Sequence, residues 1–222
     1  LYTVLDILNE PDVNISTIED PIEYQMPRVN QTQVKSEIGL TFSAGLRSLV
    51  RQDPDVIMVG EVRDGETASL AVNAALTGHL VLSTLHTNSA AGAMPRLMDM
   101  DIEPFLIVST VNVIIGQRLV RRLTEAKEKY SLTPAEIDTL GKTVDLNRVM
   151  KVLKEENIVP PDAEWKDVPV YRPLASEDSE DGFKGRVGIH EILKMSPAIR
   201  ELIMKGGTAA QIEDQAKKDG MT

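Results

Sequence analysis

The sequence predicts an α/β domain with a mainly parallel sheet, followed by a small, mainly helical C-terminal domain. Strand patterns alternate with amphipathic helix patterns over the first half of the chain, which is typical of helices packed on both faces of a parallel sheet. Residues 55–60 are almost continuously apolar between Pro54 and Gly60, as expected for a strand buried on both faces. We therefore place the first domain at residues 1–123 and the second at 124–222.

The elements of the first domain are predicted from apolar periodicity and from capping residues. Thr41 is a suitable N-cap for the second helix, and Val29–Val34 alternates as an exposed strand or hairpin arm does. The longest apolar stretch, Pro104–Gly116, is shorter than the ~20 residues of a membrane-spanning helix. We expect helices over residues 1–9, 41–52, 65–76, 89–100 and 104–123, and strands over residues 13–18, 29–34, 55–60 and 80–85.

The second domain opens with an acidic insertion, residues 124–182, which contains 14 acidic and 8 basic residues. This composition predicts a solvated subdomain, with helices near 133–140 and 146–156. Regular structure is expected to resume at Gly182, with two amphipathic helices that begin at Ser196 and Thr208.

The composition of the chain excludes several classes of function. The formal net charge is −10 and no basic run is interleaved with aromatic residues, so nucleic acid is not expected as a ligand. The absence of cysteine excludes disulfides, thiolate zinc sites and cysteine nucleophiles, and it fits a reducing compartment. The three histidines do not make a metal site alone, and His190 is expected to pack or cap a local turn.

Carboxylates follow two of the predicted strands. Glu19, Asp20 and Glu23 come after the first strand, and Glu61 follows the buried strand 55–60. If the two strands are neighbours, these groups meet at the edge where open α/β sheets bind ligands, and they are able to hold a hydrated cation or act as a general base. Solvent-facing acidic turns are the alternative interpretation.

Two histidines flank the strand pattern 80–85. His86 follows the strand and is expected at the same edge as Glu61, where it could donate a hydrogen bond to a γ-phosphate. His79 precedes the strand, and a structural role is the alternative for it.

Three blocks, residues 18–24, 46–64 and 77–88, resemble in order and spacing the Asp box, Walker B motif and His box of the secretion superfamily ATPases. These ATPases are the motors of type II secretion and type IV pilus assembly. The resemblance implies a RecA-like P-loop NTPase core that hydrolyses ATP with Mg²⁺ in a hexameric ring. It also implies a cytoplasmic location peripheral to the inner membrane, without membrane insertion. The expected partners there are a platform protein and other secretion or pilus assembly components.

The resemblance also implies roles for single residues. Glu61 matches the Walker B glutamate, and Glu19 and Glu23 match the Asp-box acids, with Glu23 as the water-activating base. Mg²⁺ would be bound through water at Glu61 and Glu23. His86 matches the residue that senses the γ-phosphate, and His79 matches its partner. Four further residues fall in family-typical segments near the nucleotide: Asp20, Arg63, Gln117 and Arg118.

Two features of the family are missing from these residues. No Gly-x-x-x-x-Gly-Lys-[Ser/Thr] loop occurs, although the family places one just before a helix like residues 1–9. We therefore expect the chain to be a piece of a longer protein, and we expect this piece to be inactive by itself. Many relatives also carry four zinc-binding cysteines where residues 122–182 have none, so zinc is not expected.

Several alternatives remain open at this point. Residues 185–191 resemble the C-terminal signature of the assembly and secretion branch, and the acidic insertion argues against a retraction ATPase or a conjugative secretion motor. The negative charge disfavours a DNA-handling RecA-like protein. A non-catalytic module whose acidic insertion binds a partner is the third alternative.

Overall fold

The computed structural model describes residues 1–177 and 179–221. Its strands are β1 (Ile15–Glu19), β2 (Val29–Gln33), β3 (Val56–Val59), β4 (Leu80–Ser83), β5 (Val113–Leu123), β6 (Lys127–Tyr130), β7 (Val170–Pro173) and β8 (Phe183–Lys194). Its α-helices are α1 (Tyr2–Leu8), α2 (Phe42–Val50), α3 (Gly65–Leu76), α4 (Ala93–Asp99), α5 (Pro104–Thr110), α6 (Pro134–Gly141), α7 (Leu146–Glu155), α8 (Pro197–Met204) and α9 (Ala209–Lys218). Short 3₁₀ helices cover Ser36–Ile38 and Trp165–Asp167.

The chain divides into two compact units. The first combines residues 1–117 with the segment that begins at His190, and the second comprises residues 118–189. The domain boundary expected at residue 123 stays a prediction.

The first unit is built on a four-stranded sheet in the order β2-β1-β3-β4, in which all neighbouring strands are parallel. This arrangement confirms the predicted α/β fold with a parallel sheet. Ile15 of β1 lies opposite Val29 of β2 and Val56 of β3, and Val56 lies opposite Leu80 of β4. Because β1 and β3 are the central strands, every residue in them is buried.

Apolar residues cover both faces of the sheet. Ile57 and Val59 of β3 belong to a large cluster with residues of α2, α3, α5, α8 and α9. Val56 and Met58 of the same strand face the other way and pack with Leu5 of α1. The alternation of side chains along a strand, with apolar layers on both sides, accounts for the continuous apolar run in the sequence.

Two helices begin at side-chain caps, of which the Thr41 cap was predicted. The Thr41 hydroxyl accepts the amide of Ala44 at 3.2 Å at the start of α2, and Asp64 accepts the amide of Thr67 at 2.8 Å in α3. Each bond satisfies one of the amides that a helix N-terminus leaves without an intrahelical partner. The helix expected over residues 89–100 is shorter in the structure, where α4 begins at Ala93.

The helix predicted over residues 104–123 is wrong beyond Thr110. Helix α5 ends there, and strand β5 begins at Val113 and pairs with β8. Val111, Val113, Ile114 and Ile115 are β-branched and are followed by Gly116, a sequence that favours a strand over a helix. Gln117 and Arg118 therefore lie on a strand.

The second unit contains the two helices expected in the acidic insertion, α6 and α7. Thr133 and Glu136 form a capping box at the start of α6. Strands β6 and β7 pair in antiparallel fashion. A small apolar cluster forms the core of the unit: Met150, Leu153, Val159, Ala163, Trp165, Val168 and Val170.

The described part of the chain contains no helix that is both long enough and apolar enough to cross a bilayer.

Candidate functional site

The backbone holds the ends of β1, β3 and β4 side by side at the edge where the strands' carboxyl ends lie. The amide of Gly60 donates to the carbonyl of Ile18 at 2.8 Å, and the amide of Val62 donates to the carbonyl of Thr84 at 3.0 Å. The Thr84 hydroxyl also donates to the Gly60 carbonyl at 2.6 Å. The residues that follow β3 are therefore held between the ends of its two neighbours.

Glu61 lies at the centre of this carboxyl edge. Its side chain is only 11% exposed, and its Oε1 lies 2.5 Å from Nη2 of Arg63. Its Oε2 lies 3.0 Å from Nε2 of His86. The Arg63 and His86 side chains are 62% and 81% exposed, so a nearly buried carboxyl group is held by two groups that face solvent.

The electrostatics of this group keep Glu61 ionised at neutral pH. The hydrogen bond from Arg63, and after it that from His86, lowers the pKa of Glu61 against the opposing effect of burial. An ionised carboxylate only accepts hydrogen bonds, so Nε2 of His86 carries the proton in this pair. The pKa of Arg63 is raised, mainly by Glu61 and to a lesser extent by Asp20.

Glu19, at the end of β1, is 3% exposed and has its hydrogen-bonding partners inside the protein. The Tyr2 hydroxyl donates to its Oε2. Its Oε1 accepts from the Thr17 hydroxyl at 2.5 Å and from Nε2 of Gln31 at 3.1 Å. Burial, together with the bond to Glu19, raises the pKa of Tyr2 to about 12.

The segment after Glu19 carries the other acidic residues of the first cluster. It begins with a cis peptide bond between Asp20 and Pro21. The side chain of Glu23 is exposed, whereas its backbone amide donates to the Tyr2 hydroxyl at 3.2 Å. The Tyr2 hydroxyl thus bridges the Glu19 carboxyl group and the Glu23 backbone.

His79 lies away from this edge. It precedes β4, whereas His86 follows the end of that strand, so the two imidazoles are at opposite ends of the sheet. The His79 side chain is 8% exposed, and its Nδ1 lies 3.0 Å from the carbonyl of Ala74 and 3.2 Å from the Thr77 hydroxyl. The structure does not bring His79 near His86, its predicted partner. A role for His79 in nucleotide binding stays a prediction.

The other predicted residues are distributed along the long strands. Gln117 is exposed on β5 in the first unit, and Arg118 belongs to the second unit. His190, which was expected to pack or cap a local turn, is exposed within β8 instead.

The sequence analysis missed the side chains that hold Glu19 in place. Thr17 was open to detection, because residues two apart on a strand share a face. Tyr2 and Gln31 reach Glu19 from α1 and β2, and their proximity depends on tertiary contacts that no local pattern indicates.

No cluster of three or more His, Asp or Glu suited to direct metal binding occurs among the residues that the structure describes. Mg²⁺ usually keeps several of its waters, so a single ionised carboxylate such as Glu61 fits this ion through its hydration shell.

The chain resembles known proteins along its whole length. The family model described as "Type II/IV secretion system protein" matches residues 1–222. The chain belongs to this family. The chain is similar to type II secretion system protein E of Xanthomonas campestris pv. campestris, which is 48% identical over 222 residues, with 100% of this chain and 36% of that protein covered. The type IV pilus assembly ATPase PilB of Pseudomonas aeruginosa is 44% identical over 220 residues, with 99% and 36% covered.

Two solved structures share the fold. The pilus retraction motor PilT with bound ADP superposes with a TM-score of 0.61 at 27% identity, covering 100% of this chain and 53% of that one. The Legionella pneumophila ATPase DotB has a TM-score of 0.54 at 24% identity, covering 95% and 44%. The predicted family and the RecA-like P-loop class of fold are thereby confirmed, and the chain spans 36% of the two curated relatives named above.

Proposed function

We propose that these residues form the carboxylate edge of the ATP-hydrolysing site in a motor for type II secretion or type IV pilus assembly. The observation that carries the proposal is the nearly buried, ionised Glu61 at the carboxyl edge of the sheet, bonded to solvent-facing His86 and Arg63. Relatives of 44–48% identity bear the names of a secretion protein and a pilus assembly ATPase.

The side chains of this edge fit a hydrated Mg²⁺ and a polyphosphate. When bound, Mg²⁺ neutralises charge on the transferred phosphoryl group. Glu61 would hold a water of the ion, since its pKa is lowered and it offers an acceptor at neutral pH. His86 is exposed, and its Nε2–H, which donates to Glu61 in this structure, is the donor that would turn to an anionic oxygen. Glu23 is exposed and takes the part of the base that accepts a proton from the attacking water.

The phosphate-binding loop must come from residues outside these 222, because no Walker A sequence occurs among them. We expect the 222 residues alone to turn over ATP no faster than their Glu61→Gln variant. The whole motor is proposed to be a hexameric ring, peripheral to the cytoplasmic side of the inner membrane, that works on a platform protein.

The assembly and secretion role is preferred over pilus retraction. The similarity to the retraction motor PilT is at 27% identity, whereas the assembly and secretion relatives are 44–48% identical over nearly the whole chain. The choice between the two roles therefore rests on the relatives and not on the geometry of the edge.

The test is a steady-state ATPase assay on the longer protein that carries these residues with its phosphate-binding loop. We expect Glu61→Gln to lower kcat by about 10²- to 10⁴-fold, the usual contribution of a group acting on a proton or a bound water. Glu66→Gln is the matched control, because Glu66 forms an exposed pair with Arg47 at 2.5 Å, and its kcat should stay within about twofold of wild type. Retention of most turnover by Glu61→Gln would refute the proposal.

A further inference from the structure

One hydroxyl group connects two acidic residues of the proposed site. The hydroxyl of Tyr2 donates its proton to Oε2 of Glu19 and accepts the backbone amide of Glu23 at 3.2 Å. A hydroxyl both donates and accepts, and no other group of α1 contacts these two residues among the described hydrogen bonds.

The ring that carries this hydroxyl is fixed on two sides. Tyr2 stacks on Tyr24, with ring centroids 4.4 Å apart and an interplanar angle of 29°. The Tyr2 side chain also packs against the apolar cluster that contains Leu5, Ile15 and Met26. With the ring held in this way, the fold fixes the position of the hydroxyl.

Glu19 and Glu23 differ in what they are able to contact. Glu19 is 3% exposed, and Tyr2, Thr17 and Gln31 all donate to its two oxygens. The Glu23 side chain faces solvent, and its backbone is bonded to the Tyr2 hydroxyl. A buried carboxyl group whose oxygens are occupied is suited to anchoring, and an exposed one is suited to reacting.

We propose that Tyr2 is a positioning residue that fixes the backbone of Glu23 against the buried anchor Glu19. The inference rests on the proposed ATPase function. Glu19, which the family resemblance places among the catalytic acids, then acts through Tyr2, and Glu23 is the acid that reaches the attacking water. Tyr2 contributes to turnover by placing Glu23 and makes no contact with nucleotide.

The informative substitution is Tyr2→Phe, which keeps the stacked ring and removes only the hydroxyl. The Glu23 amide loses its partner but lies in an exposed segment where water replaces it, so the protein is expected to fold. Displacing a reacting group by about 1 Å costs up to 10²-fold in rate. We therefore expect kcat to fall about 10-fold while KM for ATP stays within about twofold.

A matched variant distinguishes the positioning of Glu23 by Tyr2 from the loss of a hydrogen bond to Glu19. Thr17→Val removes another hydroxyl donor to Glu19, the one at 2.5 Å, without touching the Glu23 backbone. We expect its kcat to stay within about twofold of wild type. If Thr17→Val lowers kcat as much as Tyr2→Phe does, the effect runs through the Glu19 carboxyl group and the inference is overturned.

The experiment is a double-mutant cycle on the longer protein, with kcat and KM measured for Tyr2→Phe, Glu23→Gln and the double variant. If Tyr2 acts through Glu23, the second substitution causes no further loss in the Glu23→Gln background. Independent, multiplicative losses would contradict the inference, as would an unchanged kcat in Tyr2→Phe. Failure of the proposed function looks different, because Glu23→Gln and Glu61→Gln would then leave turnover intact.

Discussion

Glu191 of β8 supports the segment that follows His86. Its Oε2 accepts the backbone amide of Ala90 at 2.9 Å, and Ala90 is 1% exposed. A Cβ atom placed on Gly116 of β5 would lie 3.1 Å from the same oxygen. The C-terminal strand thus satisfies a buried amide four residues beyond the His86 imidazole, through a contact between residues far apart in sequence.

Replacing Glu191 by alanine should leave the Ala90 amide buried without an acceptor. An unsatisfied buried donor costs about 1–3 kcal/mol, so we expect the free energy of unfolding to fall by about 2 kcal/mol. Glu191→Gln keeps a side-chain oxygen in place and should cost less than about 1 kcal/mol. The difference in free energy of unfolding between the two variants gives the contribution of the hydrogen bond to the Ala90 amide, apart from the other contacts of the side chain.

Two measurements on the 222-residue chain check this expectation. Urea unfolding gives the free energies, and amide hydrogen exchange followed by NMR reports on Ala90 directly. A loss of 2 kcal/mol corresponds to roughly 30-fold faster exchange of that amide in Glu191→Ala. Glu213→Ala, which breaks an exposed pair with Lys217, is the control and should change stability by no more than about 0.5 kcal/mol. Equal destabilisation by Glu191→Gln and Glu191→Ala, with unchanged exchange at Ala90, would refute the reasoning.

Four further predictions concern stability. The folded-state pKa of Glu61 lies below its ordinary value of 4.5, so its ionised form stabilises the fold above pH 4.5. The difference in free energy of unfolding between wild type and Glu61→Gln should therefore shrink as the pH falls below 4.5, as measured by urea unfolding at several pH values. Leu46→Ala empties a fully buried position and should cost about 2–5 kcal/mol in the same assay. Gly65→Ala would place a Cβ 2.6 Å from the Met100 carbonyl oxygen and should cost about 1–3 kcal/mol, seen as a lower Tm. Thr133→Ala removes the capping box of α6 and should cost about 1 kcal/mol, measured as lost protection from hydrogen exchange in α6.

The sequence predicted those parts of the fold that depend on local patterns. Helix α3 was expected over residues 65–76 and begins and ends there, because Asp64 caps its first turn and the apolar spacing is continuous. The buried strand β3 was predicted from an apolar run with clear boundaries. Strand β5 was not, because an apolar run after Pro104 fits a helix until its distant partner β8 is known. The β-branched residues at 113–115 were the available local signal.

The same limit applies to the candidate site. The sequence analysis expected Glu61 and His86 at the same edge of the sheet, and in the structure their side chains are bonded at 3.0 Å. It did not indicate that Arg63 would turn back onto Glu61, or that Tyr2 would reach Glu19 from another element. The residues placed by strand ends were predictable, whereas the hydrogen bonds that hold them depend on how separate elements pack.

The two histidines around β4 show why strand direction decides the chemistry of such a site. The family resemblance makes His79 the partner of His86. In a parallel sheet, however, the carboxyl ends of all strands lie at one edge and the amino ends lie at the other. His86 follows the carboxyl end of β4, where Glu61 also lies, and its imidazole is 81% exposed. His79 precedes the amino end, where the Leu80 amide donates to the Asp55 carbonyl at 3.0 Å, and its imidazole is 8% exposed. A ligand bound at the carboxyl edge would lie beside His86, whereas His79 is at the other end of β4.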